Sequence, residues 1–87
     1  MSVRIELFGI ARSRAGVSEF EVDATTLGDA LRALVIACPA LLGEVIAGER
    51  PAQGYLVSLE GERFIDDPAR VLPDGATLLL LSGQAGG

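Results

Sequence analysis

Histidine and lysine are both absent from this chain of 87 residues, and cysteine occurs once, as Cys38. Each absence removes a class of chemistry. Without histidine there is no Cys–His pair, no Ser–His–Asp triad and no zinc site of the usual Cys/His type. A lone cysteine forms no internal disulfide. Without lysine the chain offers no side-chain amine, so isopeptide-linked chains of the protein on itself are excluded. No apolar run approaches the ~20 residues needed to span a bilayer. The opening MSVRIELFG carries charges inside its apolar stretch, unlike a secretory signal. A cytoplasmic location with no membrane partner is therefore expected. No P-loop or dinucleotide fingerprint is present. The acidic pair Asp66-Asp67 precedes Pro68 in a polar stretch and reads as turn chemistry. Nothing in this inventory describes a free-standing enzyme.

What is present suits one small domain. Hydrophobic residues make up 49% of the chain, ample for a packed core, and charged residues 22%. The net charge is −5, and all seven basic residues are arginines. That balance argues against direct nucleic-acid binding, which needs clustered cations to neutralise phosphates. It favours docking on a basic protein surface.

Residues 3–8 alternate with period two and predict a strand. Val3, Ile5 and Leu7 face inward, and Arg4, Glu6 and Phe8 face outward. Residues 10–15 suit a short turn or one-turn helix ended by Gly16. Residues 19–23 alternate again, with Phe20 and Val22 inward, completing an antiparallel hairpin. Thr26 is in N-cap position, with Asp29 three residues on. Leu27, Ala30, Leu31, Leu34, Val35 and Cys38 then form a helical stripe facing a sheet. Cys38 on that stripe reads as a small core residue, and Pro39 stops the helix. Residues 40–47 suit a second short helix and residues 48–54 a polar loop. Residues 55–59 and 62–65 read as a strand pair around a Glu60-Gly61 turn, and residues 66–73 as a connector. Residues 77–82, with four leucines in a row, form the last strand, expected at the sheet centre beside the first. The order strand, strand, helix, strand, strand, strand predicts an α+β domain. Its mixed sheet of about five strands carries one main helix on one face. The domain covers residues 1–82. Residues 83–87 are expected to be a flexible tail, because Gly83-Gln84-Ala85-Gly86-Gly87 has little to bury.

This order, ending in Gly86-Gly87, resembles the β-grasp proteins of the ubiquitin superfamily. Within them it is similar to the MoaD/ThiS family of sulfur carriers. The resemblance spans essentially the whole chain. It is carried by Leu7-Phe8-Gly9, Ala11-Arg12 and Gly16, by Thr26-Leu27-Gly28-Asp29-Ala30-Leu31, by Leu72-Pro73-Asp74-Gly75-Ala76-Thr77, and by the terminal glycines. The long stretch 40–47 looks more like the MoaD branch, the small subunit of molybdopterin synthase. Where molybdopterin carriers often have Pro-Pro before the tail, this chain has Ser82-Gly83. The pathway thus stays open between molybdenum cofactor synthesis and sulfur supply for thiazole, cysteine or thiolated tRNA. A protein-tagging modifier and a plain β-grasp binding module also stay open.

The resemblance implies that the working group is the carboxylate of Gly87, presented with Gly86. An E1-like adenylyltransferase would activate it with ATP, and a sulfur nucleophile would convert it to a thiocarboxylate. No cofactor is expected on the chain itself; ATP belongs to the activating partner. The second implied partner is the large subunit of molybdopterin synthase or another sulfur-accepting enzyme. Two glycines suit a narrow active-site tunnel, since neither carries a Cβ. A mobile tail needs a separate docking surface to offset the loss of its freedom on binding. The outward residues Phe8, Phe64, Leu79 and Leu81 are the candidates, with Gln84 and Ala85 completing the contact.

Overall fold

The computed structural model describes residues 1–83. Strand β1 (Ser2–Leu7) is followed by helix α1 (Gly9–Ala15), strand β2 (Glu19–Asp23) and helix α2 (Leu27–Ala37). A 3-10 turn (Pro39–Leu41) leads to the short strands β3 (Ile46–Ala47) and β4 (Arg50–Pro51). Strands β5 (Tyr55–Leu59), β6 (Arg63–Ile65) and β7 (Thr77–Ser82) complete the chain. The main sheet has five strands in the order β2-β1-β7-β5-β6, and β3 and β4 form a separate hairpin. β1 and β7 run parallel; the other pairs in the main sheet are antiparallel. This is the mixed β-grasp sheet expected from the element order.

Period-two patterning decides which face each strand residue occupies. Val3, Ile5 and Leu7 of β1 and Leu78 and Leu80 of β7 are all buried on the side that α2 covers. Leu27, Ala30, Leu31 and Leu34 meet them from the helix, each fully buried. Val35 and Cys38 pack against this core from its margin, as does Phe20 of β2. Cys38 is half-buried, so its place at the end of the helical stripe holds while its burial is less than a core position implies. The Thr26 hydroxyl accepts the Asp29 N–H at 3.2 Å, the bond an N-cap makes to an otherwise unpaired first-turn donor.

The connector between β6 and β7 runs back along the start of α2. Leu27 N–H donates to the Arg70 carbonyl at 2.9 Å, Gly28 N–H to the Pro68 carbonyl at 2.9 Å, and Leu72 N–H to the Thr25 carbonyl at 2.8 Å. A Cβ on Gly28 would lie 3.1 Å from both Pro68 Cβ and the Pro68 carbonyl oxygen, so a larger residue would have to push the connector back by a few tenths of an ångström. The Asp67 carboxylate accepts the Ala69 N–H at 2.9 Å, which makes the acidic pair the turn device that its composition suggested.

Two expectations need correction. Residues 40–47 do not form a second helix, and residues 48–54 are not all loop. The 3-10 turn ends at Leu41, Leu42 is extended, and Gly43 takes φ +93°, a conformation that ends any helix there. The chain instead folds a β3–β4 hairpin, with Val45 just before it and Ile46 within it fully buried. Apolar residues at 41, 42, 45 and 46 fit helical spacing equally well. Gly43 and Gly48 are the signals that decide against it. A smaller shift concerns the first strand, which ends at Leu7 and leaves Phe8 as the extended residue before α1.

Candidate functional site

The open face of the sheet is assembled by strand register. Outward positions of neighbouring strands fall in rows across the sheet. One row joins Leu81 to Leu56, with Phe8 just beyond the end of β1. The next row runs Glu19, Glu6, Leu79, Ser58, Phe64. A third begins Glu21, Arg4, Thr77. The open face is therefore apolar at the end where β7 finishes and charged towards β2.

Phe8, Leu56, Phe64 and Leu81 line an open, almost wholly apolar pocket of 470 Å³, together with Gly9, Ser82 and Gly83. Phe8 is 39% exposed, Leu56 38% and Phe64 63%, large fractions for aromatic and aliphatic side chains. Phe8 is held by its backbone: its N–H donates to the Leu80 carbonyl at 3.3 Å, and its carbonyl accepts the Arg12 N–H at 3.4 Å. Its position at the strand-to-helix junction thus keeps the ring on the open side. Phe8, Phe64 and Leu81 come together as expected. Leu79 shares the face but stands between Glu6 and Ser58, partly buried, and does not line the pocket. Leu56 was missed. It sits in the apolar run Tyr55-Leu56-Val57, where alternation alone leaves the inward parity undecided; its pairing with Leu81 settles it.

The charged half has its own partners. Arg4 Nε lies 3.7 Å from Glu19, and the Ser2 hydroxyl donates to Glu21 at 2.6 Å. Away from this face, Arg32 pairs with Glu49 and Asp29 and ties α2 to the β3–β4 hairpin. Those carboxylates, Glu49 foremost, hold the guanidinium pKa above its ordinary value. Among the described residues, no three His, Cys, Asp or Glu side chains cluster to hold a metal ion. None of their helices is long and apolar enough to cross a membrane.

The C-terminal segment leaves from the rim of the apolar pocket. The β5–β7 pairing ends at Tyr55 and Ser82, and Gly83 N–H then donates to the Gly54 carbonyl at 2.6 Å. The expected working residues Gly86 and Gly87, and the flanking Gln84 and Ala85, lie outside the described residues.

The fold has clear counterparts among solved structures. The crystal structure of SAMP1 from Haloferax volcanii is 31% identical, with all of each chain covered and a TM-score of 0.84. A chain of the BexX/CysO complex from Amycolatopsis orientalis is 18% identical over 98% of this chain and 99% of that one, with a TM-score of 0.81. A chain of the complex of subunits 1 and 2 of the molybdopterin-converting factor from Helicobacter pylori is 24% identical over the whole of both chains, with a TM-score of 0.68. At those identities, the last two show likeness of fold alone. No family model and no curated protein matches the sequence.

Proposed function

This chain belongs to the family of SAMP1, and from that premise we propose that it is a ubiquitin-like sulfur carrier of MoaD/ThiS type working through the carboxylate of Gly87. The observation that carries the reading is positional. An exposed apolar face, free of charge at its centre, adjoins the point where the C-terminal segment leaves the sheet. The four residues 84–87 extend at most about 14 Å from there. A partner enzyme seated on Phe8, Leu56, Phe64 and Leu81 would thus hold the carboxyl group within a short, bounded reach. Holding a reacting group in this way supplies much of the rate advantage in a positioned reaction.

The chemistry follows from the weakness of a carboxylate as an electrophile. In an E1-like adenylyltransferase, the Gly87 carboxylate oxygen attacks the α-phosphorus of ATP and pyrophosphate leaves. Hydrosulfide then attacks the acyl carbon and AMP leaves with the bonding pair, giving the thiocarboxylate. The sulfur acceptor we favour is the substrate of a molybdopterin synthase, with this chain as the small subunit beside a large catalytic one. Carriage of sulfur for thiazole, cysteine or thiolated tRNA uses the same terminus and the same face. The setting that suits this chemistry is the cytoplasm, where ATP is available.

Intact-mass measurement after co-expression with the activating enzyme tests the proposal. An oxygen-to-sulfur increment is expected on the full chain and none on a chain lacking Gly87. A full chain without the increment overturns the carrier reading. A second reading draws on the 31% identity to SAMP1, one of whose structures is described as a small archaeal modifier protein. In that reading Gly87 is joined to amines of other proteins. Conjugates of raised mass that disappear with Gly87 would favour it.

A further inference from the structure

Gly54 and Gly83 stand outside the strands they adjoin, yet the backbone bond between them is the shortest of the described backbone bonds outside regular helices and strands. The β5–β7 register closes at Tyr55 and Ser82. One step beyond, Gly83 N–H meets the Gly54 carbonyl at 2.6 Å. Gly54 has φ +92°, a conformation that side-chain-bearing residues rarely adopt. A Cβ on Gly83 would lie 3.3 Å from the Gly54 oxygen and 3.4 Å from Leu56 Cγ, so this last rung is drawn tight against a wall of the apolar face. We propose that Gly54 and Gly83 form a backbone clamp that sets where, and in which direction, the C-terminal segment leaves the sheet beside that face.

The inference rests on the carrier reading and adds to it two positioning residues that touch neither ATP nor sulfur. The apolar face determines how tightly the activating enzyme binds. The clamp determines where the carboxyl group starts from once the enzyme is bound. Without the clamp the last backbone rung retreats from Gly83 to Ser82, and the reacting carboxyl group is anchored one residue further away for the same docking energy. That loss falls on the bound complex, because effective concentration depends on the anchoring point and span of the segment.

The test is steady-state adenylylation by the E1-like enzyme, with kcat and KM resolved separately. Gly83→Pro removes the donor N–H and suits an extended Ser82. Gly83→Ala keeps the donor but crowds the rung. The expected kcat order is wild type, then Gly83→Ala, then Gly83→Pro, with the proline variant down about tenfold and its KM within about twofold. Phe8→Asp is expected to do the reverse and raise KM. At the acceptor, Gly54→Asn is expected to lose less than Gly54→Val, because asparagine tolerates positive φ and valine does not. A Gly83→Pro variant at or above Gly83→Ala in kcat overturns the clamp, as does one that shifts only KM. Hydrogen exchange of the Gly83 amide in the free protein gives an independent readout. Protection supports the clamp, and exchange at the rate of an unstructured amide overturns it. If wild-type protein is not adenylylated at all, the carrier reading fails, and Gly83 exchange still decides whether the clamp exists.

Discussion

The last strand supplies leucines to both faces of the one sheet, and the two sets meet opposite fates. β7 carries four consecutive leucines, of which Leu78 and Leu80 are fully buried beneath α2 while Leu79 and Leu81 look out from the open side. On the covered face the inward side chains of β1 and β7 close into one core with those of α2. On the open face Phe8, Leu56, Phe64 and Leu81 gather with none of the described helices or strands over them. A patch of this kind at the root of a C-terminal segment is what a protein-docking surface looks like. The comparison teaches that hydrophobicity along a strand says how much surface wants cover, and only the three-dimensional arrangement says whether the chain itself provides it.

The sharpest way to break the comparison is to truncate neighbours in β7. Leu80→Ala should destabilise the fold by about 3 kcal/mol, since it leaves a cavity in a closed core. Leu81→Ala should cost less than about 1 kcal/mol. Urea denaturation of both variants reads the difference, and equal costs would mean that the open face is part of the core. Next in size, Phe8→Asp should weaken binding to the activating enzyme by about 2 kcal/mol, as expected for an aromatic anchor, with an unchanged denaturation midpoint. Calorimetric titration with unaltered affinity would remove Phe8 from the docking surface. Gly28→Ala should cost about 1 kcal/mol, because the new Cβ crowds Pro68 against the helix start. A stabilised variant would show that the connector yields freely. Thr26→Ala should also cost up to about 1 kcal/mol by freeing the Asp29 N–H, seen as a lower thermal midpoint. Both changes lie at the start of α2, away from the residues that line the apolar pocket. Neither should alter affinity for the partner, which distinguishes them from Phe8→Asp.

Much of this was legible before any coordinates. The alternation in β1, the leucine run of β7, the Thr26 cap and the stripe on α2 each combine a local signal with a single period, and all emerged where expected. Residues 40–47 were misread because four apolar positions at 41, 42, 45 and 46 satisfy a helix as well as a compact turn and hairpin. Gly43 and Gly48, both at positive φ, carried the deciding information. Leu56 escaped notice because a run of three apolar residues has no parity of its own. The role of Gly54 and Gly83 had no sequence signal at all, since a backbone bond between two glycines leaves nothing in side-chain chemistry to read.

By itself the sequence determined the element order, the inward residues of the long strands, the capped helix and the exclusion of histidine-based chemistry and of an internal disulfide. These depend on spacing and on residue type, which are properties of the chain. Only the tertiary structure decided that Phe8, Leu56, Phe64 and Leu81 are one surface, that Leu79 stands apart from it, and that the C-terminal segment departs from its rim. Those facts depend on which strands pair and in what register, and pairing between residues some seventy positions apart in the sequence, such as Leu7 with Leu80, is settled by packing the whole core at once.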